Sequence, residues 1–206
     1  GKETGKEGAS SPAASIAPET APAGTSSAAP SDDGKATQYP ITVKDATGTE
    51  ITFDKAPERI VSVSPSETEI LFALGLGDKV FGVSDFDDYP EEAATKPKMG
   101  SVSKPNEEAI IAANADLVIG GISMKDDVAE KFRALGMKLY KTEPKTVQDV
   151  IDNILRIGVI TDNQNAAEAY VAQMQADVDK VKQAAATLKE EDKKRVYLEF
   201  SPGWTV

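Results

Sequence analysis

One segment, Arg59-Ile-Val-Ser-Val-Ser-Pro-Ser-Glu-Thr-Glu-Ile-Leu-Phe-Ala-Leu-Gly-Leu-Gly77, sets the tightest limit on what this chain can fold into. Ile60, Val61 and Val63 make a short β-branched run, the pattern of a strand covered on both faces. Ser64 is placed to cap a helix, Pro65 suits the first helical position, and Glu67 completes a Ser-x-x-Glu capping box. Ile70, Leu71 and Leu74 share one helical face, and Gly75 is placed to end the helix. Such a crossing puts hydroxyls and free backbone N–H groups at the C-terminal end of a buried parallel strand, where open α/β sheets bind ligands. A capped crossover helix with no ligand has the same pattern, so the segment alone leaves both readings open.

The pattern repeats. Strands are expected at Arg59–Val63, Lys79–Val83, Asp116–Ile119 and Lys138–Lys141, with helices at Ser66–Leu74, Asn106–Asn114, Met124–Leu135 and Val147–Ile157. Ahead of them, Ile41–Asp45 and Glu50–Phe53 flank Ala46-Thr-Gly-Thr49 as a β-hairpin suited to covering a sheet edge, with Gly48 available for positive φ. The fold class is therefore α/β: an N-terminal lobe with a mostly parallel sheet flanked by helices, plus an N-terminal β-hairpin. From about 165 to 193, Val171, Met174, Val178, Val181, Ala185 and Leu188 recur at spacings of three and four, which predicts one long helix of about 40 Å. Val196–Phe200 reads as a fresh strand and 201–206 as a loop, the opening of a second α/β lobe that the chain leaves incomplete.

The first 37 or so residues are Ala, Ser, Pro, Gly and Thr with a few charges and no hydrophobic periodicity, a composition that cannot offset the entropy of ordering. The expected division is a disordered tether over 1–38, an α/β lobe over 39–162, a long linking helix over 163–194 and the start of the second lobe over 195–206. As a coil the tether would span about 30 Å.

Composition excludes more chemistry than the fold does. The chain has no Cys and no His, which removes thiolate and imidazole metal sites and Cys–His or Ser–His nucleophiles. No enzyme, no metal site and no cofactor is expected. A net charge of −11 works against nucleic acid. No stretch approaches the roughly 20 apolar residues of a membrane span, so membrane contact would need an anchor. Gly75-Leu-Gly77 does not extend to a dinucleotide fingerprint. The loop Ser84-Asp-Phe-Asp-Asp-Tyr-Pro-Glu-Glu92 is acidic but lacks the frame of a calcium loop. Its Phe86 and Tyr89 are ligand platforms or packing residues.

The segments Arg59–Asp78, Gly82–Pro90, Gly100–Glu108 and Ala115–Gly120 together resemble the helical-backbone class of ABC-importer substrate-binding proteins, which deliver cobalamin, ferric siderophores or haem. The match runs from about Tyr39 to Val206. The resemblance implies two α/β lobes joined by one long helix, with ligand in the cleft between them. It is nearest to cobalamin-binding members through Ser64-Pro-Ser66-x-Thr-Glu69 and Asp85-Phe-Asp-Asp-Tyr-Pro90.

Carried over by position, it implies a ligand site at Ser64, Pro65, Ser66, Phe86, Asp87, Val102, Gly121 and Trp204, with Ser66 at the strand–helix turn and Phe86 in an aromatic wall. Val102 and Gly121 stand where the cobalamin binders carry larger aromatic residues, which leaves a ferric siderophore or haem open. Glu108 matches an acidic knob that docks on the permease subunits; as a residue of a first helical turn it also suits the helix dipole, as does Glu107. The partners implied are a metal chelate, a cobalt corrinoid or an iron complex, and the ABC permease. The protein is expected to be monomeric and extracytoplasmic, tied to the membrane only through a lipid anchor. A cleft for a preformed chelate needs shape and aromatic surface, not protein metal ligands, which fits a chain without Cys and His. The competing reading is a tethered α/β module that binds a protein partner and no small molecule.

Overall fold

The structure, a computed structural model, describes residues 35–206 except Leu198, Pro202, Gly203 and Val206, with side chains described through 197. The tether therefore lies almost wholly outside the described residues, and so does the side chain of Trp204. Elements follow in the order β1 (Ile41–Lys44), β2 (Glu50–Phe53), β3 (Ile60–Val63), α1 (Pro65–Ala73), β4 (Val80–Val83), α2 (Glu91–Ala94), α3 (Glu107–Ala113), β5 (Leu117–Gly120), α4 (Asp126–Ala134), β6 (Leu139–Lys141), α5 (Val147–Ile160), α6 (Gln164–Ala186), β7 (Glu199–Ser201) and β8 (Trp204–Thr205).

The four strands β4-β3-β5-β6, in that spatial order, form one parallel sheet. Alternate residues of its buried strands feed opposite faces, as period-two geometry requires. Ile60, Leu117, Ile119 and Tyr140 meet Leu71 of α1 and Ile154 and Ile157 of α5 on one side. Val61, Val63, Val118 and Leu139 meet Ile110 of α3 and Phe132 of α4 on the other. Strand β3 leads first to β4 on one side and later to β5 on the other, so the chain reverses direction across the sheet between β3 and β5.

Helix ends follow the local chemistry. Gly75, at φ +76°, closes α1 with two backbone bonds, Leu76 N–H to the Leu71 carbonyl and Gly75 N–H to that of Phe72, each 2.9 Å. Leu76 is itself buried, completing a Schellman end. The capping box expected at Ser64 and Glu67 does not form, because no backbone N–H bonds the Ser64 side chain. One forms instead at Thr146 and Asp149 of α5.

The expected hairpin β1–β2 forms, with Lys44 opposite Glu50, and its turn covers the free edge of β6. Ala46 N–H donates to the Lys141 carbonyl at 3.0 Å, and Lys141 N–H donates to Asp45 Oδ2 at 3.0 Å. The Asp45 carboxylate, fully buried, also takes the Arg133 guanidinium and, at Oδ1, the N–H of Thr47 at 2.9 Å. A single side chain thus shapes the turn and ties the hairpin to α4 and β6.

Residues 35–38, expected in the tether, are held in place. Thr37 N–H donates to Asp162 Oδ1 at 2.6 Å and its hydroxyl to the Val159 carbonyl at 2.8 Å. The long helix α6 spans 164–186, shorter than the expected 165–193, and Glu190–Asp192 forms a separate 3-10 turn. Val171 and Met174 pack on the core, whereas Val181 is 68% exposed. At the end of the chain β7 pairs with β8 in an antiparallel hairpin, where one strand and a loop were expected.

Asp45→Ala takes one of two carboxylates from Arg133, which keeps Glu130, leaves the N–H groups of Lys141 and Thr47 without their acceptor, and is expected to lower unfolding free energy by about 3 kcal/mol. Urea denaturation checks this; a loss below about 1 kcal/mol contradicts the role given to Asp45.

Candidate ligand-binding site

The switch between β3 and β5 brings two loops together at the C-terminal ends of the strands, the position where open α/β sheets bind ligands. An open concavity of about 380 Å³ lies there, lined by Val63, Ser64, Pro65, Ser66, Phe86, Val102, Gly121, Ile122 and Ser123. Of the eight residues expected to meet a ligand, Ser64, Pro65, Ser66, Phe86, Val102 and Gly121 share this surface. Asp87 does not line it, and Trp204 lies outside the residues whose side chains are described.

Phe86 is 61% exposed and Ile122 64%, so the walls offer apolar surface that no described side chain covers. Asp87, 2% exposed, is turned into its own loop. Its Oδ2 accepts from the Ser84 N–H at 2.9 Å and from the Ser84 hydroxyl. Lys98 Nζ donates to the Asp87 carbonyl at 2.8 Å. These bonds hold the loop that projects Phe86. Val102 is brought close by Gly100, at φ +89°, where an added Cβ would stand 2.5 Å from the backbone nitrogen of Asn106.

Gly121 and Ser64 meet across the switch point. A Cβ added at Gly121 would stand 2.2 Å from Ser64 Oγ and 2.8 Å from its Cβ. A larger residue at 121 therefore needs a different conformation or residue at 64.

Behind the floor sits Glu67, 2% exposed. Oε2 accepts from the hydroxyls of Ser64, at 2.9 Å, and Ser66. Oε1 accepts from the Thr142 hydroxyl at 2.6 Å and from Asn153 Nδ2 at 3.2 Å. Asn153 in turn accepts from the Tyr140 hydroxyl at 3.3 Å, and burial pushes that phenol up to about 12, so it stays protonated and donating. The sequence reading took Glu67 for a helix cap and missed this network, along with Val63, Ile122 and Ser123 of the lining. A buried-looking Glu inside Ser-x-Ser-Glu, beside a strand end, was the available signal.

Glu108 is exposed on the first turn of α3. Its neighbour Glu107 pairs with Lys131 at 2.6 Å, so the two carboxylates differ in environment. A separate polar concavity of about 230 Å³, lined among others by Asp45, Tyr140, Lys141, Glu143, Asn153 and Arg156, opens between the hairpin turn and α5. Among the described residues no group of acidic side chains is arranged to hold a metal ion.

The profile described as "Periplasmic binding protein" matches residues 60–206. The chain belongs to this family, in its helical-backbone class of ABC-importer substrate-binding proteins. It is similar to an uncharacterized ABC transporter substrate-binding lipoprotein of Bacillus subtilis, 34% identical over 87% of this chain and 60% of that protein. A cobalamin-binding protein of Halobacterium salinarum is 32% identical over 90% of this chain and 52% of its own length. Among solved structures, a possible iron-binding periplasmic solute-binding protein of Staphylococcus epidermidis superposes with a TM-score of 0.63 at 30% identity, covering 72% of this chain and 58% of that one. The chain thus spans about half to three-fifths of the length of the curated relatives it matches. Family membership places it among extracytoplasmic binding proteins.

Gly121→Ala is expected to destabilise the fold by about 1–3 kcal/mol through the clash with Ser64. Ser64→Gly costs stability by itself, since it removes a donor to Glu67, but in that background Gly121→Ala should add little further loss, because the obstructing hydroxymethyl group is gone. Equal melting temperatures for Gly121→Ala and the parent protein overturn the contact.

Proposed function

We propose that this chain carries the ligand-contacting N-terminal lobe of an importer component that takes up a large metal chelate, a cobalt corrinoid or a ferric siderophore, with haem as the alternative. The single observation that carries this reading is the concavity at the β3/β5 switch point, where exposed Phe86 and Ile122 flank a hydroxyl floor. A preformed chelate needs an apolar wall and a few oriented polar groups, and no metal ligand from the protein. The names of the relatives, one cobalamin-binding and one possibly iron-binding, support the same class of cargo.

In this reading 39–162 is the first lobe and α6 the linking helix, while the β7–β8 hairpin opens a second lobe that completes the cleft. Phe86, Val102, Ser66 and Gly121 face the chelate, Asp87 shapes the loop behind Phe86, and Trp204 meets the ligand from the other side. Glu108 docks on the permease. The protein acts as a monomer held to the membrane by a lipid on its tether.

Titrating the full-length protein with cyanocobalamin, a ferric hydroxamate, a ferric catecholate and haemin, followed by Trp204 fluorescence, is expected to give saturable binding for at least one. Binding of none of them favours a protein-interaction module. Glu108→Ala is expected to leave chelate affinity and melting temperature unchanged while reducing uptake through the transporter several-fold, because an exposed interface charge acts mainly on partner recognition. Loss of chelate binding in this variant instead places Glu108 in the pocket, and unchanged uptake ends the docking role.

A further inference from the structure

The Glu67 carboxylate decides which way the floor of the concavity faces electrically. A serine hydroxyl has one proton to donate and lone pairs with which to accept. Ser64 and Ser66 both donate to Glu67 Oε2, so the proton of each points into the protein. What they turn toward the concavity is lone pairs. Their oxygens lie 3.3 Å apart, close enough to act on one group of a ligand.

Among the described residues no Lys or Arg forms an ion pair with the charge behind them; the nearest link to a cation runs through Asn153 and Tyr140 to Arg156. The remaining partners of Glu67, Thr142 and Asn153, are neutral donors. The start of α1 contributes about half a positive charge, which by itself would favour an anion, but a whole carboxylate stands in its first turn. Pro65, at the first helical position, supplies no N–H to the mouth. Low polarisability of the surroundings keeps the field of a 2% exposed carboxylate from being screened as it would be at the surface.

We infer that Glu67 is a specificity-determining residue that holds Ser64 and Ser66 as hydrogen-bond acceptors, so that the site takes a chelate whose rim carries N–H or O–H donors, such as primary carboxamides, and turns away one whose rim is carboxylate. This deepens the chelate reading above and rests on it. Glu67 touches the hydroxyls and not the ligand, so it acts as a positioning residue through them.

The test uses matched pairs in the full-length protein, measured by calorimetry: cyanocobalamin against its monocarboxylic acids, ferrichrome against its tricarboxylate analogue ferrichrome A, and haemin diamide against haemin. Within whichever pair binds, the uncharged member is expected to bind on the order of tenfold more tightly. Glu67→Gln removes the charge and offers an amide N–H to one serine, freeing hydroxyl protons to face outward, and should erase most of that preference. Ser66→Ala, at an exposed position away from the core, should reduce it in the same direction even if Glu67→Gln folds poorly. Carboxylate members bound as tightly as their partners by the parent protein, or a preference that Ser66→Ala and a folded Glu67→Gln leave intact, overturn the inference while leaving chelate binding standing. If no member of any pair binds, the chelate reading fails and this inference with it.

Discussion

A buried carboxylate that gathers four neutral donors holds the strand-end face of this lobe in register. Glu67 sits on α1, one of its donors on the turn before that helix, a second in the helix's own first turn, a third just after β6 and the fourth on α5. Left without those donors, a carboxylate so far from solvent costs several kcal/mol, and left without the carboxylate, the donors are stranded in turn. The network therefore couples the β3–α1 turn to elements far from it in sequence. Asn153 and Tyr140 extend it toward the hairpin side of the sheet.

The topology places that network directly behind the strand-end concavity. Reversal of strand order between β3 and β5 leaves Ser64 and Gly121 side by side, and the absence of a side chain at 121 is what lets the serine stay. The acidic loop after β4 adds Phe86 from one flank, held by the inward-turned Asp87, and Ile122 rises from the other. Asp45 performs a comparable task at the far edge, where it closes the hairpin turn over β6 and fixes Arg133. In both places one acidic side chain, buried and multiply bonded, does what backbone pairing alone does not.

Much of this was legible in the sequence because it is local. Ile60-Val-Ser-Val63, the Val and Ile of β5 and the glycine at 75 announce strands and a helix end within a few residues of themselves. The candidate residues Ser64, Ser66, Phe86, Val102 and Gly121, which share one concavity, were named through a family resemblance, which carries three-dimensional information that periodicity lacks. Glu67 was misread for the opposite reason: its partners Thr142 and Asn153 are 75 and 86 residues away, and a Ser-x-x-Glu pattern looks the same whether the carboxylate turns to the backbone or inward. The end of α6 was overrun because Val181 and Leu188 keep the apolar spacing even though they lie exposed. Thr37 was assigned to the tether because its anchors, Asp162 and Val159, lie on the distant α5–α6 corner.

Amide hydrogen exchange of the full-length protein, with and without a saturating chelate, tests most directly whether the strand-end concavity is the ligand surface. New protection is predicted at Ser66 and Glu67, in the loop carrying Phe86, at Val102 and across Gly121–Ser123. Protection confined to the polar concavity around Tyr140, Lys141 and Arg156, with none at the β3/β5 switch point, would contradict the account.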